Sequence, residues 1–492
     1  MRYITDEPIA AIATPLVPCA IGIIRTSGKN SITLVSRIFS RPDALRTAQS
    51  FTLVHGWITT LPDDAKSAAA EKCEKLDEVL LGVFRAPDGF SAEDAVEIYC
   101  HGGLAVIKKI FSLLLEAGFR QALPGEFTFR SFANGKSDLT RAEAVRELIE
   151  AKTAHAASHA VTRLSGDLFK ALDAIKIKLV NIRARLEAET EYPEDENAFA
   201  DFSENARNPQ NKITAKTVFD DLRECESKIA ALCESWQTEK LFQDGVRIVL
   251  AGKTNAGKSS LFNALLKEER SIVSDIHGTT RDYLEAQLDF AGLPVQLFDT
   301  AGLRKPLDAI DAIEKIGVER AKALALNADI VLYLIDATNG FIPSQEDKSF
   351  FAENKNVPLI LVWTKCDLVE KNTVYAQMAK NSNEHHCFIS VRDAQGLSKI
   401  ADTVRSIVLK TSLSKNSAEQ RALALGSERQ KEAAFGALSA LRHALHAFDD
   451  GFGMDAICED IDDALLLLGE ITGEVCTEDI LDAVFSKFCL GK

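Results

Sequence analysis

Between residues 245 and 410 five short apolar runs, VRIVLAG, VQLFD, DIVLYLIDA, PLILVWTK and HCFISV, are separated by stretches long enough to hold a helix. Runs without polar alternation are buried on both faces, and a parallel sheet covered by helices buries strands in this way. The pattern predicts a doubly wound α/β domain over residues 244–411.

The first run ends at Gly252 and leads through GKTNAGKSS into the helical SLFNALLKEE, which places G-x-x-x-x-G-K-[ST] between a strand and a helix. In such a turn, backbone N–H groups and the helix N-terminus converge on an anion. Asn255, Ala256, Gly257, Lys258, Ser259 and Ser260 are therefore expected to cradle the phosphates of a nucleotide. Lys258 would neutralise the outer phosphates, and the Ser259 hydroxyl would ligate Mg2+. A glycine-rich turn without a ligand is the competing reading, and the flanking strand and helix count against it.

Two further motifs follow buried strands. In DTAG, Asp299 at a strand end can orient the magnesium through water, and beyond Thr300 and Ala301 the Gly302 N–H can sense a γ-phosphate. In TKCD, Thr364 and Lys365 precede Asp367, whose carboxylate can accept from the two N–H groups on guanine's Watson–Crick edge. Adenine lacks that donor pair and would leave the carboxylate unpaired, so the nucleotide is read as GTP. Ser390 ends the last run, where a loop supporting the base belongs. Between the first two motifs lies the polar loop Ser274, Asp275, Ile276, His277, Gly278, Thr279 and Thr280. Thr280 offers a second hydroxyl for magnesium, and a loop that orders in one nucleotide state acts as a switch.

The rest of the chain divides by texture. Residues 1–135 mix β-like runs (AIGIIR, EVLLGVFRAP, DAVEIYCHGG) with the helical AVIKKIFSLLLEAGF, which reads as an α/β domain. Over 136–243 the pattern is helical. Val161, Leu164, Leu168, Leu172, Ile175, Leu179, Ile182 and Leu186 form a stripe at steps of three and four, interrupted afterwards by an acidic loop between Pro193 and Pro209. Helices return over 412–492 and are expected to pack on the earlier ones, leaving the 244–411 module inserted in a helical domain.

The 492 residues carry a formal net charge of −15, which opposes non-specific binding to nucleic acid or acidic membranes and confines any RNA contact to a local patch. From Asp449 to Asp482 there is no Lys or Arg, a solvated acidic face or a docking surface for a basic partner. No apolar run approaches the roughly 18 residues of a membrane span, so no membrane partner is expected. Asp6 and Glu7 stand where a secretory signal is basic, so the expected location is cytoplasmic. Ten cysteines with no Cys-x-x-Cys pair read as reduced thiols and not as a disulfide or zinc framework. Cys489 stands apart near the C-terminal end as a reactive or site-lining thiol, with an ordinary surface thiol as the alternative. His155 and His159 lack an intervening Glu or a third ligand and read as helix-surface or seam histidines, and Cys100 beside His101 lacks partners.

NAGKSS, SDIHGTTRD, DTAGLR, EKIGVERA, GEFTFRSFANGKSDLTRAEAV and the terminal FCLGK together resemble the MnmE (TrmE) family of bacterial tRNA-modification GTPases over nearly the whole chain. The resemblance implies a Ras-like P-loop GTPase domain inserted in the helical domain, with a folate-binding-like N-terminal domain that forms a homodimer. Ordinary GTPases place a water-orienting glutamine after DTAG, and here Leu303 stands there. In the resembled family potassium supplies the missing charge. Asn255 matches its side-chain ligand, with Ser274, Ile276 and Thr279 around the same ion, and a neutral oxygen suits such a cation. Glu314 matches the family residue that positions the hydrolytic water, slightly farther from DTAG than the family pattern.

By the same matching, Arg25, Glu97, Lys136 and Lys492 fall on the positions that bind 5-formyl-tetrahydrofolate, and Cys489 is the family's terminal cysteine near the folate. The family acts with an FAD-dependent partner, MnmG or GidA, in a heterotetramer. Together they add a carboxymethylaminomethyl-type group at carbon five of the wobble uridine in certain tRNAs. Thr364 stands where the family usually has asparagine, and its shorter side chain is expected to weaken the link between base and phosphate loop without altering guanine choice. A ribosome-assembly or other RNA-associated GTPase switch without folate binding is the alternative function, and a scaffold that binds GTP without appreciable hydrolysis is a third.

Overall fold

The computed structural model describes residues 3–60, 74–191, 209–268, 284–290, 292–299, 328–355, 357–380, 385–412, 423–450, 452–489 and 491. The chain forms two compact units. One comprises Met1–Arg146, Leu164–Leu222 and Ser439–Lys492; the other comprises Glu147–Arg163 and Arg223–Leu438.

In the first unit, strands β1 (Ile9–Ile12), β2 (Ile21–Ser27), β3 (Thr52–Thr59), β4 (Lys75–Phe84), β5 (Ala95–His101) and β6 (Arg120–Gln121) form one sheet in the order β3-β4-β5-β2-β1-β6. Neighbours pair antiparallel except β1 with β6. Side chains alternate across a strand, and one face buries Ile24, Ile58, Leu81, Val83 and Ile98 with Ile107, Ile110 and Leu114 of the helix Leu104–Ala117. The same unit holds the long helix Asp167–Glu191, which packs along Met454–Thr472. Its stripe Leu168, Leu172, Ile175, Leu179, Ile182 and Leu186 is buried, each residue contributing about 1.5–3 kcal/mol.

The predicted stripe begins too early. Val161 is exposed, because its helix, Ala154–Leu164, ends before Gly166, whose φ of +87° resets the helical phase ahead of Asp167.

In the second unit, β7 (Val246–Gly252), β8 (Leu284–Phe290), β9 (Leu293–Asp299), β10 (Ile330–Asp336), β11 (Leu359–Thr364) and β12 (His386–Phe388) form a sheet in the order β12-β11-β10-β7-β9-β8. All pairs are parallel except β8 with β9. The sheet contains the five apolar runs, as expected of a doubly wound α/β fold. The edge strand β8 is the addition. Its sequence LEAQLDF alternates apolar and polar residues, as an edge strand buried on one face does. The core joins Ile248, Leu250, Val295, Leu297, Leu332, Ile360 and Val362 to Leu261, Leu265 and Val404 from flanking helices.

This unit also buries a charged cluster. Arg163, 1% exposed, donates to Glu147 Oε2 at 2.7 Å, to Glu239 Oε1 at 3.0 Å and to the Ala424 carbonyl at 3.3 Å. His159 Nδ1 lies 2.5 Å from the other oxygen of Glu239, and His155 stacks on Phe242, a member of the sheet's core. The two histidines are therefore seam residues held by carboxylate and ring.

Candidate functional site

Strand β7 lies at the centre of its sheet with β10 on one side and β9 on the other, the point where chain direction across the sheet reverses. Ligands of such sheets bind outside the carboxyl ends of the strands at this point. Gly252 closes β7 with φ +137°, and an added Cβ would lie 2.4 Å from the Leu334 carbonyl, so only glycine lets the loop pass this close to β10. The loop turns through Asn255 at φ +64° and Gly257 at φ +93°, then enters the helix Lys258–Glu268. Asparagine is among the few non-glycine residues that tolerate the left-handed region. Asn255 is exposed, and its carboxamide makes no hydrogen bond among the described residues. Ala256 beside it is buried.

Lys258 folds back over the loop and donates to the carbonyls of Gly252 and Lys253, both at 2.8 Å. Burial pulls its pKa below the ordinary lysine value, and the Asp299 carboxylate opposes that shift. Ser259 Oγ donates to Asp299 Oδ2 at 3.0 Å, and Asp299 at the end of β9 is fully buried. A hydroxyl and a carboxylate side by side form an all-oxygen donor set of the kind a small hard dication takes, so these residues fit magnesium. Ser260 is exposed on the same first helical turn.

The base side lies one strand over. Thr364 ends β11, and its hydroxyl reaches the Ala256 carbonyl at 2.8 Å and the Ile335 carbonyl at 3.3 Å. The shorter side chain thus still ties the base motif to the phosphate loop. Lys365 follows at φ +57° and pairs with Asp336 Oδ2 at 2.6 Å. Burial works against the Asp336 carboxylate, but hydrogen bonds from Lys365 and Thr338 outweigh it and hold the pKa below the usual range. Asp367 is exposed in the turn Cys366–Leu368. Ser390 is buried, exchanges backbone hydrogen bonds with Gln395 at 3.1 Å, and accepts from the Asp393 N–H at 3.2 Å. The Cys366 N–H donates to the Ile389 carbonyl at 3.1 Å, which joins the two base-side loops.

Asp336 was absent from the sequence reading. A carboxylate closing the run VLYLID was the available signal. Ser274, Asp275, Ile276, His277, Gly278, Thr279, Thr280, Thr300, Ala301, Gly302, Glu314 and Lys492 lie outside the described residues.

On the first unit's sheet, Arg25 and Glu97 face each other across β2 and β5. Arg25 Nη2 lies 2.7 Å from Glu97 Oε1, and its Nη1 donates to the Gly491 carbonyl at 3.2 Å. Phe90 and Phe127 flank the guanidinium, each ring centroid 5.8 Å away, and Tyr99 Oη donates to Glu97 Oε2 at 2.7 Å. These three aromatic residues were not foreseen. Lys136 is held by backbone carbonyls. Its ammonium donates to the carbonyls of Pro87, Asp88 and Gly89 at 3.0, 2.6 and 2.6 Å, and so holds the loop that leads to Phe90. Cys489 is an exposed free thiol. His101 beside Cys100 pairs through Nδ1 with Asp77 Oδ1 at 2.7 Å, a partner that sequence distance concealed.

Among the described residues no helix is long and apolar enough to cross a membrane. Residues 8–136 match the family model described as GTP-binding protein TrmE N-terminus, and residues 139–489 match that of the MnmE helical domain. The chain is 46% identical over its whole length to the tRNA modification GTPase MnmE of Treponema denticola, covering 99% of that protein. It is 40% identical to that of Treponema pallidum, again over 100% of this chain and 99% of the relative. Among solved structures, the G domain of the T. maritima FeoB iron transporter is 26% identical, with 33% of this chain and 97% of that one covered and a TM-score of 0.24. Full-length identity at this level, together with both family models, places the chain in the MnmE (TrmE) family of tRNA modification GTPases, enzymes that hydrolyse GTP.

Proposed function

We propose that the chain is a magnesium-dependent, potassium-stimulated GTPase of tRNA wobble modification. In this reading it acts as a homodimer, in a cytoplasmic heterotetramer with an FAD-dependent MnmG/GidA protein. That complex adds a carboxymethylaminomethyl-type group at carbon five of the wobble uridine, with 5-formyl-tetrahydrofolate as the one-carbon source and GTP hydrolysis driving a conformational cycle. The domain division behind it is 1–135 for folate and dimerisation, 244–411 for GTP, and 136–243 with 412–492 for the helical frame.

The observation that carries the GTPase half is the convergence of the Gly252–Ser259 loop, Asp299 and the Thr364–Asp367 turn at the carboxyl edge of one sheet. Lys258, already aimed over the loop, neutralises phosphate oxygens, and the backbone N–H groups at the following helix start orient them. Magnesium, held by Ser259 and oriented by Asp299, supplies charge neutralisation when bound. Asn255 presents an unengaged carboxamide at the loop surface, where a neutral oxygen can take a potassium ion. Ser274, Ile276 and Thr279 would complete that ion's shell, Thr280 the magnesium's, and Glu314 would hold the hydrolytic water.

The folate half is supported by Arg25 and Glu97, which set a guanidinium and a carboxylate side by side between aromatic rings, a surface suited to a pterin and its acidic tail. Lys492 and Cys489 would border it. Turnover of GTP in potassium against sodium, with and without Asn255→Ala, tests the first half; equal rates in both salts for the natural chain would defeat it. Titration of the full chain with 5-formyl-tetrahydrofolate tests the second.

A further inference from the structure

Thr364 has one hydroxyl proton, and the fold already uses it. Its Oγ1 lies 2.8 Å from the Ala256 carbonyl and 3.3 Å from the Ile335 carbonyl. Both partners are acceptors without a hydrogen to offer, so threonine must be the donor in either contact. The residue is 1% exposed, which leaves the hydroxyl little freedom to turn elsewhere. The asparagine usual in the family carries two N–H donors and could hold the loop with one while offering the other.

The geometry of a purine nucleotide determines what this difference costs. Its phosphates belong to the loop before Lys258, and guanine's N1–H and 2-amino group belong to Asp367. With the nucleotide so bound, the five-membered ring, which bears the glycosidic bond and the acceptor N7, would lie between those two points, toward the end of β11. Two neighbouring donors are drawn away from that ring. Lys365 Nζ is drawn to Asp336 at 2.6 Å, and the Cys366 N–H is given to the Ile389 carbonyl at 3.1 Å.

We propose that this protein selects guanine through the N1–H and 2-amino edge alone and leaves N7 unread, because Thr364 spends its donor on the phosphate loop. Thr364 is then a specificity-determining residue that links loop and base motif while widening the range of purines accepted at position seven. The inference rests on the GTP reading of this site.

The test is displacement of a fluorescent GDP derivative from the full chain by GDP, 7-deaza-GDP and IDP, in magnesium and potassium. 7-deaza-GDP replaces N7 by CH, and IDP lacks the 2-amino group. The natural chain should bind 7-deaza-GDP within about twofold of GDP, and bind IDP at least about tenfold more weakly, because a hydrogen bond to a charged group is among the stronger ones. Thr364→Asn should introduce a preference for GDP over 7-deaza-GDP of about three- to tenfold, the worth of one neutral hydrogen bond. Thr364→Ser, which keeps the hydroxyl, should not.

A natural chain that binds 7-deaza-GDP about tenfold more weakly than GDP overturns the proposal. A Thr364→Asn chain that binds GDP normally yet gains no such preference removes Thr364 as the cause. IDP binding as tightly as GDP is a separate failure, because it overturns the guanine reading beneath.

Discussion

Ser259 Oγ donates to Asp299 Oδ2 at 3.0 Å, joining the first turn of the helix after β7 to the end of β9. The carboxylate is fully buried, and a buried charge is stable only when it is paired or faces a cation. The contact therefore holds the two oxygens side by side, as the proposed magnesium site requires.

Asp299→Asn retains the shape and removes the charge. Magnesium dependence of GTP hydrolysis should weaken by about 10- to 100-fold, the usual cost of losing a group that orients a metal's inner ligands. A magnesium titration of turnover measures it, and an unchanged half-saturation point with unchanged rate would remove Asp299 from the site.

Gly252→Ala puts a Cβ 2.4 Å from the Leu334 carbonyl at a φ of +137°. Strain of about 1–3 kcal/mol is expected, and the loop must move away from β10 to relieve it. The unfolding midpoint should fall, and GDP affinity should fall with it. Loss of affinity alone, at full stability, would mean that the loop moves without strain.

Glu239→Gln breaks the buried pair with Arg163 and should destabilise the chain by about 3–5 kcal/mol near neutral pH. Burial alone would raise the pKa of Glu239, but the hydrogen bond from His159 and the charge of Arg163 outweigh it and hold the carboxyl below its ordinary 4.5. A depressed carboxyl stabilises the fold fully above that ordinary value and loses its contribution as acid titrates through the lower one. Urea unfolding of both chains should therefore differ most near neutrality and converge at strongly acid pH.

Lys136→Met deprives the carbonyls of Pro87, Asp88 and Gly89 of their shared donor. Water can replace it at this surface, so the stability cost should be small, about 1 kcal/mol. Binding of 5-formyl-tetrahydrofolate should weaken more, because the loop positions Phe90 beside Arg25. Calorimetry of the variant separates the two effects.

The parallel sheet was legible because runs such as VRIVLAG and LILVWT have no polar alternation, and the phosphate loop because its glycines and lysine have fixed spacing between strand and helix. Lys258, Ser259, Asp299 and Thr364 come together as those motifs require. Other features depend on distant partners. Asp77 is 24 residues from His101, and Glu239 is 76 from Arg163, separations that no local pattern records. Lys136 shows a different limit. Its place near a folate was read from family matching, and residue type alone does not reveal the carbonyls of Pro87, Asp88 and Gly89 that its ammonium meets. Val161 was misplaced because periodicity continues through a glycine that the backbone does not follow.

The buried guanidinium also constrains how the chain can be made. Arg163 emerges 76 residues ahead of Glu239 and 261 ahead of Ala424. At a synthesis rate of roughly 5–20 residues per second, it waits about 4–15 s for the carboxylate and about 13–52 s for the carbonyl. Until then its segment must remain hydrated or be shielded by a chaperone, so this unit can close only after most of the nascent polypeptide has left the ribosome.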